Sequence, residues 1–433
     1  MTFGLRAQPT MCSLEDMFHG WKLVGALSVI LFFTGGGGLY VFPVFIASLR
    51  AEFGWSMTQI SSGAALFAIV LGLSNPLVGT LFARFGARRT MLFAAALSAL
   101  TSLSYAGLVN LWMLYATMLA SGVAIAGTTL LPAQTLVTNW FNAYRGRAMG
   151  IAMLGIGAGG FLLPPFNEFL IRAVGWRAAW LVACVVTLGI VIPLIAVFVR
   201  TWPADLGLEP DGVGADEADS GTLGPARGLP PARAVTTLTF WLVAAIFLCQ
   251  LIGVSALNFH FVPFATQQAG FSSRDAAFFY GSAVGFSIIG RLLFGWLADR
   301  WSVTLLIAAS LLLLAAGPTV LELLVVRLGL RTTAVLWLYA IPFGTGIGGN
   351  AVALPVLVGR CFGVLYFSRI MGLLMSGFAL GIIVGIPVAG WIFDRTGSYE
   401  WALILCALVL FSSSLLALAI RPERYHSEFV GAA

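Results

Sequence analysis

The stretch AVGFSIIGRLLFGWLADR, from Ala283 to Arg300, decides how the rest of the chain is interpreted. It reads as part of a helix that crosses a membrane, and it carries one arginine, Arg291, well inside it. A charged side chain near the centre of a bilayer costs roughly 2.5 to 3.5 kcal/mol on insertion scales, so it is expected to face a protein interior or a water-filled cavity. Arg291 is therefore a candidate functional residue.

The composition of the whole chain predicts an integral membrane protein. Of its 433 residues, 60% are hydrophobic and only 9% are charged, against about 25% charged residues in a soluble domain. The net charge of +6 does not indicate nucleic acid binding, because the basic residues are scattered between apolar runs instead of forming a patch. The five cysteines lie far apart without metal-ligand spacing, and no metal or other cofactor is expected.

Twelve apolar runs of membrane-spanning length follow one another along the chain. In the first half, residues 21–200, the runs begin near Lys22, Thr58, Thr90, Leu111, Arg147 and Trp180. In the second half, residues 238–420, they begin near Leu238, Ala276, Val303, Thr333, Arg369 and Trp401. Residues 201–237 between them are rich in proline and acidic residues, which predicts a flexible linker.

The distribution of arginine predicts the orientation in the membrane. The even-numbered connections and the two ends of the chain hold twice as many arginines as the odd-numbered connections. By the positive-inside rule, the polar segment 1–20, the linker and the tail 421–433 are expected to be cytoplasmic. Segment 1–20 lacks the pattern of a cleaved signal peptide, so the first span is expected to begin at Trp21.

The two halves of the sequence repeat each other. GTLFARFGARR, from Gly79 to Arg89, corresponds to GWLADRWSVT, from Gly295 to Thr304. LYVFPVF, which contains Tyr40, likewise corresponds to NFHFVPF, which contains His260. Such repetition across a linker predicts an all-helical membrane protein of two six-helix bundles related by a pseudo-two-fold axis, with a substrate site between them.

At this point the chain resembles the major facilitator superfamily over nearly its whole length. Asn139 to Gly160, NWFNAYRGRAMGIAMLGIGAGG, is similar to the signature that leads into the fifth span of the monocarboxylate-porter branch. The matching positions are Phe141, Arg145, Ala148, Gly150, Gly155 and Gly159. Arg291 falls where that branch carries its substrate-binding arginine in the eighth span. The resemblance implies transport of small organic anions, often monocarboxylates, by rocking of the two halves.

The chain also departs from the animal monocarboxylate carriers. Val44 stands where they have a lysine in the first span, and Ser287 stands where they have an aspartate one turn before the arginine. Their proton-coupling residues are therefore not reproduced, and bacterial members of the branch are expected to be the closer comparison.

Several residues are candidates for the substrate site. A guanidinium presents a planar fork that matches a carboxylate, so Arg291 is expected to bind the substrate. The alternative is a structural ion pair, for which Glu168 or Glu322 would be the partner. His260 is a candidate for coupling or substrate contact, since histidine changes its charge near neutral pH, although it could simply be a packing residue. The remaining candidates are Tyr40, Tyr115, Tyr339 and Asn350, with packing or interfacial positions as the alternative for the tyrosines.

The repeated motifs after the second and eighth spans predict a cytoplasmic gate. Asp299 is expected to cap or pair with a neighbouring helix end, whereas Ala83 replaces the aspartate in the first motif. The gate should therefore be asymmetric; its other expected members are Gly295, Arg300, Gly79, Arg84, Arg88 and Arg89. The alternative is that these charges only anchor helix ends at the water boundary.

The glycine run from Gly35 to Gly38, in the middle of the first span, has two sharply different interpretations. A phosphate-binding loop would need a preceding strand and usually a lysine, and both are absent. Close helix contact or local unwinding is the prediction that fits a membrane span.

The sequence as a whole predicts a twelve-helix secondary transporter, not an enzyme, because no nucleotide-binding motif or positioned nucleophile is visible. The expected location is the plasma membrane, as a multi-pass protein of a bacterial inner membrane. Its expected partners are a small organic anion, protons and lipid, and it is expected to be a monomer. The first alternative is an exporter of amphipathic compounds with the same fold. A second is a membrane sensor, which would normally carry a sizeable soluble domain.

Overall fold

The structure is a computed structural model, and it describes residues 18–211 and 228–420. The middle of the linker, the tail 421–433 and all but the last three residues of segment 1–20 lie outside the described residues. Within the described ranges, helices are the only regular secondary-structure elements, apart from two isolated β-bridges. The first bundle contains α1 (His19–Tyr40), α2 (Met57–Phe85), α3 (Ala87–Ala106), α4 (Leu111–Trp140), α5 (Arg145–Val174) and α6 (Trp176–Phe198). The second contains α7 (Leu238–Gln268), α8 (Arg274–Ala298), α9 (Val303–Arg327), α10 (Thr333–Phe362), α11 (Phe367–Thr396) and α12 (Glu400–Leu418).

These helices confirm the predicted fold of two six-helix bundles. Eleven of them are long and apolar enough to cross a membrane by length and composition. The twelfth, α3, has 20 residues and occupies the third predicted span. It begins with Arg88 and Arg89, whose charges lower its mean hydropathy. A shorter helix, Phe42–Phe53, continues α1 after an irregular residue at Val41.

Local sequence determines where several helices begin and end. α2 starts with a capping box, in which Ser56 accepts a hydrogen bond from the Gln59 N–H at 3.2 Å and the Gln59 side chain accepts one from the Ser56 N–H at 2.9 Å. At the start of α8, the Ser272 hydroxyl accepts from the Asp275 N–H at 3.0 Å. Gly397, with a left-handed φ of 66°, ends α11.

Small residues bring α5 of the first bundle into direct contact with α8 of the second. A β-carbon at Gly146 would collide with the carbonyl oxygen of Gly295, and one at Gly295 would lie 2.8 Å from the carbonyl oxygen of Gly146. Further along the same pair, a β-carbon at Gly150 would lie 2.6 Å from the carbonyl oxygen of Arg291. Since only glycine fits, the two backbones touch along this seam.

The equivalent pair in the repeat, α2 and α11, forms a second seam between the bundles. A β-carbon at Gly72 would lie 2.6 Å from the β-carbon of Ala379, and one at Gly79 would collide with the backbone of Ser368. The Ser368 hydroxyl also donates a hydrogen bond to the Gly79 carbonyl at 3.1 Å. Gly79 and Gly295, which correspond in the two repeats, thus each contact a helix start in the other half.

The glycine run in α1 shows both predicted features. Phe32–Gly36 forms a π-helical turn within α1, which is a local widening of the helix. Gly36 packs on α5, where a β-carbon at Gly159 would lie 2.9 Å from the Gly36 α-carbon and would collide with the Phe32 carbonyl oxygen. The run therefore lets α1 bend while it stays in close contact with α5.

We predict that Gly159→Ala destabilises the protein, whereas Gly25→Ala does not. The first change forces a methyl group into backbone atoms of α1 and is expected to cost about 1–3 kcal/mol. No atom lies within 4 Å of a β-carbon at Gly25, so the second change should be neutral or stabilising by up to ~1 kcal/mol through helix propensity. Thermal unfolding in lipid nanodiscs measures both, and equal unfolding temperatures would contradict the close contact.

Candidate functional site

Arg291 lies in the middle of α8 and faces α5 across the interface between the bundles. Its side chain is only 5% exposed. Nη1 donates a hydrogen bond to the Ser287 hydroxyl at 2.6 Å, one turn earlier on α8. A β-carbon at Gly157 on α5 would lie 2.7 Å from the same nitrogen. Glycine at this position therefore gives the guanidinium the space it occupies.

Within the described ranges, Arg291 has no carboxylate partner. The two acidic residues considered for it are paired elsewhere: Glu168 with Arg172 at 2.8 Å and Glu322 with Arg327. Arg291 Nε is buried and forms no hydrogen bond. The ion-pair alternative raised by the sequence therefore finds no partner among the described residues.

A cavity of about 430 Å³ lies between the two bundles beside Arg291. Among the described residues that line it, Arg291 is the only charged one. Polar side chains come from both halves, namely Tyr40, Asn75, Thr129 and Gln134 from the first and Gln250, Ser255, Asn258, Tyr280, Arg291 and Asn350 from the second. We call it the central cavity. Three of the predicted site residues, Arg291, Tyr40 and Asn350, thus meet there.

Two amide side chains in the wall of the central cavity have an oxygen without a hydrogen-bond donor. These atoms are Gln134 Oε1 and Asn350 Oδ1, both buried. A buried acceptor that is left unpaired costs about 1–3 kcal/mol, which is a common feature of sites that wait for a ligand or water. Gln134 was missed by the sequence analysis, although an amide inside an apolar run was a readable signal.

His260 lies behind the cavity wall and not among the residues that line it. Its Nε2 lies 3.0 Å from the Ile386 carbonyl on α11, and its Nδ1 lies 3.2 Å from the Tyr399 hydroxyl. A carbonyl can only accept, so Nε2 carries the hydrogen and Nδ1 accepts from the tyrosine. His260 thus ties α7 to α11 and to the start of α12.

Tyr115 and Tyr339 also lie outside the wall of the central cavity. The Tyr115 hydroxyl donates to the Gln59 carbonyl at 3.0 Å, which joins α4 to the first turn of α2. Tyr339 is fully buried and stacks on Phe261, with ring centroids 4.3 Å apart. Its hydroxyl has no hydrogen-bond partner among the described residues. Neither tyrosine is brought together with Arg291.

Asp299, which the sequence predicts for a gate, contacts the start of α5 in the other half. Its carboxylate accepts from the Gly146 N–H at 2.6 Å and from the Arg147 N–H at 3.2 Å. The Arg147 side chain adds an ion pair at 3.5 Å. Burial raises the pKa of Asp299, and these N–H groups and Arg147 oppose the rise. We call the end of the molecule that carries these contacts and the linker the linker face.

The arginines predicted for the gate point away from the interface. Arg84, Arg88 and Arg89 are exposed, and Arg84 lies over the Phe85 ring at 5.2 Å. Arg300 lies over the Trp296 ring at 3.8 Å. Among the described residues, none of these four has a hydrogen bond or ion pair with the other half.

Asp211, a linker residue that the sequence analysis did not single out, accepts hydrogen bonds at the start of α5. The Asp211 carboxylate accepts hydrogen bonds from the N–H groups of Asn142, Ala143 at 3.1 Å and Tyr144 at 2.9 Å. Two carboxylates, one from the linker and one from the second half, therefore occupy the same helix start. The proximity of Asp211 raises the pKa of Asp299 further.

Comparison with known proteins identifies the family of the chain. Residues 27–364 match the model of the Major Facilitator Superfamily. Monocarboxylate transporter 12 of Rattus norvegicus is 28% identical over 305 residues, which is 66% of this chain and 61% of that protein. Monocarboxylate transporter 12-B of Danio rerio is 27% identical over 429 residues, or 94% of this chain and 88% of that protein. These vertebrate relatives give no support to the expectation of a bacterial branch.

A solved structure gives the same result for the fold. The proton:xylose symporter XylE bound to 6-bromo-6-deoxy-D-glucose has a TM-score of 0.73 and 14% sequence identity, covering 93% of this chain and 95% of that one. At this identity the likeness shows the fold alone. Because the family model spans well over half of the sequence, the chain is a multi-pass membrane transporter that belongs to the major facilitator superfamily.

Proposed function

We propose that the protein is a secondary active transporter that moves a small organic anion, a monocarboxylate, across the membrane by alternating access. One observation carries the proposal: Arg291 lines a cavity between the two bundles and has no carboxylate partner among the described residues. A carboxylate that accepts from the fork of the guanidinium would complete its hydrogen bonds and balance its charge. The names of the monocarboxylate transporters that match the sequence support this class of substrate.

Alternating access agrees with where the two halves are joined. The hydrogen bonds between the halves lie at the linker face, from Gly146 and Arg147 to Asp299 and from Ser368 to Gly79. We infer that this face is closed in the present state and that transport requires these contacts to break. Asp299 and Gly79 act as the gate, and Asp211 positions the helix start that Asp299 contacts.

The location and orientation remain as the sequence predicts them. We propose that the protein lies in the plasma membrane, and the expectation from the sequence is a bacterial inner membrane. Both ends of the chain and the linker are proposed to lie on the cytoplasmic side. In this orientation the closed linker face corresponds to a state that is accessible from outside. The protein acts as a monomer, in which one chain carries the complete cavity.

Proton symport is the coupling that we propose, with His260 as the coupling candidate. Its hydrogen bonds reach α11 and Tyr399, so a change in its protonation would alter contacts between helices whose residues line the central cavity. An exporter of amphipathic compounds is the alternative with the same fold. That alternative predicts broad substrates and little dependence on Arg291.

We predict that Arg291→Ala abolishes carboxylate binding. Ligand binding stabilises a protein by mass action, so a panel of mono- and dicarboxylates at two pH values should raise the unfolding temperature of the wild type and not of the variant. At a ligand concentration of about 100 times Kd, the wild type should gain about 2.7 kcal/mol.

Arg274→Gln is the matched control for Arg291→Ala. Arg274 is an exposed arginine at the other end of the same helix, so its loss should leave the carboxylate response intact. A response of Arg291→Ala equal to that of the wild type would show that the arginine is structural and would favour the exporter.

We predict that Asp299→Ala reduces uptake several-fold while expression stays near normal. Hydrogen bonds to a charged group are worth about 1.5–3 kcal/mol each, so their loss should shift the equilibrium away from the closed linker face. Asp275→Ala, which removes a half-buried carboxylate from the opposite end of α8, is the control. Unchanged uptake in vesicles by Asp299→Ala would remove the gating role.

We predict that His260→Gln flattens the pH dependence of uptake. In the wild type, uptake should rise as the outside pH falls from 8 to 6, because a symported proton becomes more available. Glutamine can replace both hydrogen bonds but cannot carry the proton. His19→Gln, which removes a histidine that contacts the Phe198 carbonyl, should keep the wild-type profile. A pH profile of His260→Gln that matches the wild type would make His260 a packing residue.

A further inference from the structure

A second cavity, of about 530 Å³, lies inside the first bundle. Its wall includes residues of α3 and α6, such as Thr101 and Ala183, which are absent from the wall of the central cavity. Five residues line both cavities, namely Leu39, Tyr40, Leu71, Phe259 and Ile382. We call the second one the bundle cavity. The two spaces are neighbours and meet beside Tyr40, at the end of the glycine run of α1.

Several polar groups in the wall of the bundle cavity form hydrogen bonds within the protein. Thr101 and Ser102 both donate to the Ser98 carbonyl, at 2.9 and 3.0 Å. Asn167 donates to the Leu163 carbonyl at 2.9 Å, and Thr187 to the Ala183 carbonyl at 2.9 Å.

The Tyr105 hydroxyl follows the same pattern. It donates to the Met118 sulfur at 3.1 Å and accepts from Ser121 at 3.4 Å. No buried polar side-chain atom of the described residues in this wall lacks a partner. The buried polar groups of this wall therefore need no ligand to complete their hydrogen bonds.

The two cavities thus differ in the chemistry that they accept. No charged residue is found among the described residues that line the bundle cavity, whereas the central cavity contains Arg291 and two unpaired amide oxygens. An apolar cavity can take an apolar guest, and ~150 Å³ is enough for a benzene ring. The bundle cavity is several times larger.

We propose that the bundle cavity binds the apolar body of a carboxylate whose head group is held by Arg291. This inference rests on the proposed function and makes its substrate class narrower: a monocarboxylate with an aryl or medium-length alkyl group, not a two- or three-carbon acid. Tyr40 lies at the junction of the two cavities, with its ring against Gly160 of α5. The end of α1 that follows the glycine run is the element that such a substrate crosses.

The test compares the binding of acids that differ only in their apolar part. Propanoate, 3-phenylpropanoate and the uncharged 3-phenylpropanamide are titrated into the full chain in nanodiscs by calorimetry. Burial of a phenyl group should make 3-phenylpropanoate bind on the order of 10- to 100-fold more tightly than propanoate. The amide measures how much an apolar body binds without the charge and is expected to bind weakly.

Filling the bundle cavity should remove this preference. Ala68 lines it, whereas Ala65 on the same helix is exposed and lines neither cavity. Ala68→Phe should weaken the binding of 3-phenylpropanoate by about tenfold or more. The affinity for propanoate should stay within about twofold of the wild-type value. Ala65→Phe should change neither. Ala183→Leu fills the same space from α6, and it replaces Ala68→Phe if that variant does not bind propanoate.

The outcomes separate this inference from the proposed function. Equal affinity of the wild type for propanoate and 3-phenylpropanoate, or an unchanged preference in both filling variants, overturns the role of the bundle cavity and leaves carboxylate transport standing. An amide that binds as tightly as the acid overturns the role of Arg291 instead. If neither acid binds, the proposed function and the inference fall together.

Discussion

The structure depends on a buried guanidinium whose counter-charge is missing from the described residues. Burying an ion costs several kcal/mol unless other groups compensate, and here the Ser287 hydroxyl supplies one hydrogen bond at 2.6 Å. A fixed aspartate would neutralise Arg291 permanently. With serine in that place, the charge stays available, and an anion that enters between the bundles is the partner that balances it best.

The same helix pair links this charge to the gate. Along α5 and α8, the glycine seam runs from Gly146 and Gly295 at the linker face to Gly157 beside the guanidinium. A rocking motion that separates the helices at the linker face must also change the packing around Arg291. Under the proposed function, anion binding and gate opening would therefore be connected through the α5–α8 interface itself.

The sequence predicted the spans and the position of Arg291 because length and hydropathy are local properties. It could not show which face each side chain takes. α7 is apolar almost all round, so no stripe indicated that His260 points toward α11 and Tyr399 and not into the central cavity. The same holds for Tyr115 and Tyr339. The contacts of Asp211 could not be predicted for another reason. They form because the linker packs against the start of α5, and no local sequence pattern indicates this packing.

The two repeats keep the same backbone contacts and differ in charge. On the α5–α8 side, Asp299 accepts two N–H hydrogen bonds and pairs with Arg147. On the α2–α11 side, Ala83 replaces the aspartate, and one neutral hydrogen bond joins Ser368 to Gly79. Charge-assisted hydrogen bonds are roughly twice as strong as neutral ones. Separating the halves should therefore cost more on the α5–α8 side, which is also the side that holds Arg291. Under the proposed function, the helix pair that binds the anion would then be the pair that limits opening.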